Sequence, residues 1–250
     1  MTAQLRAELL KQRSIRTNVG LLSAMIGLVL LAVLLHGLGL PAEKVDSSSD
    51  QLTLVIGWGE KLGILFAGLV GAMSITSEIR HGTIRPTFLV TPQRARVLAA
   101  KVVASMLFGA GFGLIATAFA AGVGSAALRA RGIESQLHWG DYALFLAGGG
   151  AAAALWAAIG VGIGAIVRNQ VPALIGICAW LLFVEGLLVG DLFGALGDVG
   201  RFAPGAAAAA ISGLDPDKLV APAVGLVLLV LYTVATAVAG SLVTTGRDVV

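Results

Sequence analysis

SEIRHGTIRPTFLVTPQRARVLAAK, from Ser77 to Lys101, is a basic segment with two prolines set between two long apolar runs. Five of its residues are Arg or Lys, and one, Glu78, is acidic. A bilayer core of about 30 Å takes about 20 residues of helix, and the run on each side is that long. Lys and Arg in short connections between such runs hold the cytoplasmic side of a membrane protein. The segment therefore points to an all-α integral membrane protein and places itself where soluble partners can reach it.

Composition agrees. Of 250 residues, 57% are hydrophobic and only 12% charged, where a soluble domain carries about a quarter charged residues. Mean hydropathy is +0.92. Working outward from Ser77–Lys101, six stretches are long and apolar enough to span: Val19–Leu38, Leu54–Thr76, Val97–Leu128, Tyr142–Val167, Val171–Gly190 and Leu219–Val243. The third is long for one crossing and is expected to tilt or project. In the second, Glu60 and Lys61 interrupt the apolar run and are expected near the outer surface. Residues 1–18 are too polar for a secretory signal and no small-residue cleavage site follows, so the first run is expected to remain as a span.

Six spans put both termini on one side. The termini and the connections after spans two and four hold 11 basic residues against Glu8, Glu78 and Asp248, a net of +8. The opposite side holds six basic residues and 11 acids, a net of −5. The positive side is expected to be cytoplasmic, with Trp58, Trp139 and Tyr142 at the outer interface. Basic residues placed this way orient a membrane protein, so a nucleic-acid partner is not expected. High Ala and Gly content suits a GC-rich bacterial genome, and the expected location is a bacterial cell (inner) membrane.

The outer connections Gly39–Thr53 and Ala130–Asp141 are too short for an external domain. The last one, residues 191–217, contains FAPGAAAAAISG from Phe202 to Gly213, apolar but broken by Pro204, Gly205 and Gly213. It is either a short re-entrant helix in the outer leaflet or an Ala-rich helix lying on the surface.

Catalytic signatures are missing: no G-x-S-x-G, no H-E-x-x-H and no phosphate-binding G-x-x-x-x-G-K-[ST]. His36, His81 and His138 fall on opposite faces of the expected topology and do not converge on a metal. Cys178 is the single cysteine, which rules out an intrachain disulfide. No cofactor site is expected on this chain. Gly109, Gly111 and Gly113, and Gly160, Gly162 and Gly164, set small residues on two spans, for close packing inside the subunit or for a dimer seam or path wall. Glu185 is the acid well inside an expected span. It is either hydrated or paired with Arg201 or Lys61, or a contact for substrate or protons.

Within the basic segment, Glu78 and Arg80 close the second span. Thr83 can cap a short helix over Thr83–Val90, with Pro86 tolerated in its first turn and Ile84 and Phe88 on one face. Thr91-Pro92 stops it. The result is an apolar knob with a basic rim, which reads either as a docking surface or as a solvated loop whose charges only set the topology. Leu5–Arg16, in the N-terminal segment, is expected as an interfacial helix.

This layout resembles the membrane subunits of type-2 ATP-binding-cassette (ABC) transporters, mostly exporters. The likeness lies in an N-terminal helix, six spans, a cytoplasmic connection after the second and a broken outer segment before the sixth. A local pattern accompanies it: Glu78, Gly82, Thr83, Pro92, Arg94 and Lys101, with Arg247-Asp248 at the end. The resemblance implies a permease dimer, with itself or a paired permease subunit, seated on a separate P-loop ATPase subunit that binds ATP and Mg. Thr83–Val90 would be the coupling helix, Leu5–Arg16 the connecting helix, and Phe202–Gly213, with Phe202 and Pro204, part of an outer gate. An ion-coupled transporter or channel, or an intramembrane enzyme, are the alternatives from other classes.

Overall fold

A computed structural model describes residues 2–84, 86, 93–186 and 197–246. Among them the secondary structure is helical throughout. Helix α1 (Thr2–Ser14) is followed by α2 (Arg16–Gly39), with Ile15 in extended conformation at the corner between them. Then come α3 (Ser48–Arg80), α4 (Arg94–Ala130), α5 (Trp139–Val167), α6 (Gln170–Val184), α7 (Gly197–Gly200), α8 (Pro204–Ile211) and α9 (Pro222–Gly246).

Five of these are long and apolar enough to cross a membrane: α2, α3, α4, α5 and α9. They match the expected first, second, third, fourth and sixth spans with ends shifted by a few residues. The expected fifth span, Val171–Gly190, corresponds to α6, which has 10 residues of α-helix and five of π-helix. Residues 187–190 lie outside the described part. Helix α6 starts where Arg80 Nη1 donates to Gln170 Oε1 at 3.4 Å. Beyond its last turn, Glu185 reaches the start of α8.

The second helix begins earlier than expected. Ser47 caps it, and Gln51–Ile56 forms a π-helical turn before the regular run from Trp58. Gln51 is fully buried, and its amide accounts for the early start. Its Nε2 donates to the carbonyls of Val45 and Glu134, and its Oε1 accepts from the Gln136 amide. That knits two inter-helix connections to the helix.

Lipid supplies no hydrophobic drive between helices, so close backbone approach must hold them. Helices α3 and α5 show it most strongly. A Cβ on Gly71 would overlap the carbonyl oxygen of Ala157, and one on Gly160 would overlap that of Gly68. Gly109 and Gly113 on α4 meet the carbonyls of Ala153 and Gly149 on α5, and Gly162 meets Thr236 on α9. Of the two readings of the glycine triplets, packing inside the subunit accounts for these positions and for Gly164. Gly111 is the exception, with open space beside it. Helix α5 is thus the central post, while α2 and α9 are mostly exposed.

Candidate functional site

The basic segment is rooted in a buried ion cluster. Lys101, about two turns into α4, is 1% exposed. Its Nζ donates to Glu78 Oε1 at 2.7 Å, to Glu8 Oε2 at 2.9 Å and to the Ser74 carbonyl at 3.2 Å. Lys11 Nζ lies 3.0 Å from both Glu8 Oε1 and Glu78 Oε1. Two acids and two ammonium groups balance. Removing buried charge from water costs several kcal/mol per ion, which the mutual pairing offsets only while every partner is present. Burial pulls the Lys11 pKa down, but hydrogen bonds to Glu78 and Glu8 and their charges outweigh it and leave it raised.

Helix α1 joins this cluster through one polar face. Glu8 and Gln12, four residues apart, are buried, while Leu10 is exposed. Gln12 Nε2 donates to Ser105 Oγ on α4 at 2.8 Å, and Asn18 Nδ2 donates to the Gln12 carbonyl at 2.7 Å. The absence of a clean apolar stripe in Leu5–Arg16 has this cause: charge and hydrogen bonds seat the helix. Sequence reasoning placed Glu78 and Lys101 in a motif but missed Glu8 and Gln12. The signal was there, an acid and an amide one turn apart.

The other residues expected to couple to a partner fall as follows. Arg80 is exposed and reaches Gln170, and Gly82 sits at φ +70°, the left-handed conformation that ends α3 at little cost. Thr83 Oγ1 lies 3.5 Å from the Glu78 carbonyl. Ile84 departs from expectation. Instead of presenting a knob with Phe88, it is 5% exposed and packs with Ile75, Leu98, Val161 and Ala165. Burying its side chain against three spans is favourable, whereas exposing it on the surface gains nothing. Ile84 anchors the segment. Arg94 Nη1 donates to the Thr244 carbonyl, bringing the end of α9 to the same side. Phe88, Pro92, most of Thr83–Val90, and Arg247-Asp248 lie outside the described residues.

At the opposite end two acids are buried. Glu185 pairs with neither Arg201 nor Lys61 in the contacts seen. Its Oε1 accepts the Gly205 amide at 2.8 Å and the Trp180 indole N–H, and its carboxylate also takes the Ala206 amide. The residue before α8, Ala203, has no side chain that could cap it, so Glu185 does that work from another helix. With Pro204 in its first turn and Gly205, Ala206, Ala207, Ala208, Ala210 and Ile211 buried, α8 is packed against α5 and α9 instead of lying on the surface. We expect Glu185→Ala to lower unfolding stability by about 1.5–3 kcal/mol, the range for hydrogen bonds to a charged group. Glu185→Gln, which keeps an acceptor, should lose less. Gly205→Ala should resemble Glu185→Ala, because its Cβ would overlap the carboxylate. Thermal unfolding in detergent or lipid reads all three.

Glu60 was expected near the outer surface, but it is 1% exposed and neither of its oxygens has a hydrogen-bond partner. Lys61 does stay at the surface, its ammonium 5.0 Å from the Trp58 ring centre. Helical geometry turns adjacent residues to different faces, so the pair splits. The charges acting on Glu60 are Lys61 and Glu185.

A cavity of about 480 Å³ lies between α5, α6 and α9 beneath the Val199–Pro204 segment. Its wall is almost wholly apolar and includes Trp156, Trp180, Phe202 and Tyr232. Both residues expected at an outer gate, Phe202 and Pro204, line it, and Tyr232 Oη donates to the Phe202 carbonyl at 3.1 Å. Among the described residues no three His, Cys, Asp or Glu side chains come together as a metal site. No family model and no curated protein matches the chain.

Proposed function

We propose that this chain is the membrane-spanning permease subunit of an ATP-driven type-2 ABC transporter, working as an exporter in a bacterial inner membrane. In this reading α2, α3, α4, α5, α6 and α9 are six spans, and both termini and Ser77–Lys101 face the cytoplasm. Two such subunits, identical or paired with a paralogue, enclose the pathway. A separate ATPase subunit supplies the energy with its own ATP and Mg, by the phosphate chemistry this chain lacks.

One observation carries the reading. The basic segment is tied at its root to α1, α3 and α4 by Glu8, Lys11, Glu78 and Lys101. A partner pressing on the segment would move three helices as one body instead of bending a loop. A segment that served only to orient the chain would need its charges outside, not an acid and a lysine buried beneath it with a second acid mostly covered.

An ion-coupled transporter is the second reading, and Glu60 favours it. Ionisable residues inside a membrane mark substrate, ion or proton paths by default, and this one is held without a partner.

Purified in mild detergent from its native membrane, the tagged protein is expected to bring a stoichiometric P-loop ATPase with it. Phe88→Asp should release that ATPase while the subunit stays folded. Recovery of the chain alone, from membranes containing its candidate ATPases, would remove the support for coupling. Gradient-driven transport in ATP-free vesicles, abolished by Glu60→Gln, would establish the second reading.

A further inference from the structure

Helix α1 has two faces, and the ion cluster accounts for one of them. Glu8 and Gln12 are buried there. Arg6, Leu10 and Arg13, four and three residues apart, form one stripe on the opposite side, because residues two apart on a helix do not share a face. All three are exposed, and Leu10 is 67% exposed. Ile15 and Arg16 at the corner, and Val19 in the first turn of α2, are exposed as well.

The charge on this outer face is not answered within the described residues. At this end of the helix bundle the described acids are Glu8 and Glu78, and Lys11 and Lys101 take up both. Arg6, Arg13 and Arg16 therefore stand over a cluster that is already neutral, and among the described residues no ion pair reaches them. Position decides what can neutralise them. A single residue, Ile15, joins α1 to α2, which is long and apolar enough to cross a membrane. Arg16 lies one turn before Val19, where the apolar run of α2 begins. That sets the arginines beside the headgroups of the membrane that α2 crosses. A soluble acidic partner would answer the charges but not Leu10, Ile15 and Val19 between them. A lipid surface answers both, since apolar side chains dip among acyl chains while guanidinium groups fork onto phosphate oxygens.

We propose that Arg6, Leu10 and Arg13, continued by Arg16, form a surface for anionic phospholipid, with phosphates on the arginines and Leu10 among the acyl chains. Helix α1 is then held from both sides, by the ion cluster within and by lipid without. The anionic lipid content of the membrane thus sets how firmly α1 is seated on Glu78 and Lys101, and through them acts on the root of the basic segment. The inference needs only that α2 crosses a bilayer, whatever energises transport.

Amide hydrogen exchange of α1 is the readout, in the full chain placed in vesicles of phosphatidylcholine alone or mixed equally with phosphatidylglycerol. Exchange between Arg6 and Arg13 should be slower in the mixed vesicles by about fivefold for each arginine engaged, the gain of one basic residue at an anionic surface. Added salt should shrink the difference by screening, and amides of α5 should not respond. Arg6→Gln combined with Arg13→Gln should exchange alike in both vesicles, at the rate of the parent in phosphatidylcholine, because exposed side chains carry little of the fold. Arg6→Lys combined with Arg13→Lys should keep a response to phosphatidylglycerol. Equal exchange of the parent in the two vesicles overturns the proposal, as does a phosphatidylglycerol effect that survives in the double Gln variant. If that variant loses protection of α1 already in phosphatidylcholine, the arginines act within the chain and the lipid surface is again overturned. Inorganic phosphate added to phosphatidylcholine vesicles should give no protection; protection equal to that of phosphatidylglycerol would make free phosphate the ligand. Protection that appears only with a soluble cell extract would assign the face to a protein instead. These vesicles hold no ATPase subunit, so failure here leaves the coupling proposal standing, and failure to recover an ATPase leaves this one standing.

Discussion

Lys101→Met should be among the most damaging single substitutions in this chain, costing about 3–5 kcal/mol of unfolding stability, the range for removing one partner of a buried ion pair. Met keeps the length and most of the packing of the lysine stem, so the loss isolates the charge. Without the ammonium, Glu8 stays buried and Glu78 mostly covered with Lys11 alone between them, and Lys11 is 45% exposed. The loss should have a direction as well as a size. Helix α1 should detach first, because Glu8 is its buried link to Lys101. Limited proteolysis should therefore cut between α1 and α2, near Ile15, before the rest unfolds. Restoring the balance should restore stability: Lys101→Met with Glu78→Gln removes one positive and one negative charge, leaving Glu8 with Lys11. The double variant should unfold later than Lys101→Met by roughly 1–3 kcal/mol, a coupling of the size found between contacting residues. If Lys101→Met unfolds within about 0.5 kcal/mol of the parent, as ordinary surface changes do, the cluster does not hold these helices. The transport reading then loses its carrying observation too.

What the sequence revealed and what it hid divide along a physical line. Apolar runs report on one-dimensional quantities, so the five long helices and their approximate ends were legible. So was the cut between α1 and α2, where the polar N-terminal segment meets the first run. Charge sign against span number yields an expected topology, with the positive side cytoplasmic, because each loop's composition counts by itself. Burial of single polar residues is a different matter, since it depends on which faces meet. Lys101 could be read as the last cation of a loop or as a buried lysine in a span. Only the arrival of Glu8 and Glu78 from two other helices decides. Glu60 and Lys61 are neighbours in sequence, yet the helix turns one to the interior and one to the surface. Ile84 was read with Phe88 on one helical face, and periodicity cannot tell which side of that face has a neighbour. Glu185 was singled out for its rarity within an apolar run. Its role as the cap of α8 depends on a helix that starts 19 residues later with no cap of its own. In each case the residue type was a clue, and its partner could not be named without the fold.

The glycines give the second large effect, and they separate two roles that sequence treats alike. Gly71→Ala and Gly160→Ala each add one methyl where α3 and α5 cross. In each position the new Cβ would overlap a carbonyl oxygen of the facing backbone, Ala157 for Gly71 and Gly68 for Gly160. A side chain could rotate aside, but two helical backbones can only move apart. Overpacking of this kind costs typically 1–3 kcal/mol and occasionally more. Contact with backbone on both helices puts these two at the upper end. Gly111→Ala is the matched control, in the same Gly109–Gly113 run but with nothing within 4 Å of the added atom. Replacing a helix-interior glycine with alanine there should gain about 0.5–1 kcal/mol from lower backbone entropy in the unfolded chain. Thermal unfolding in lipid should therefore rank Gly111→Ala at or above the parent, and Gly71→Ala and Gly160→Ala well below it. Equal losses at all three would mean that the α3–α5 crossing is looser than its geometry. A selective loss would show that the central post is held by backbone contact, the one kind of close packing that lipid does not compete for.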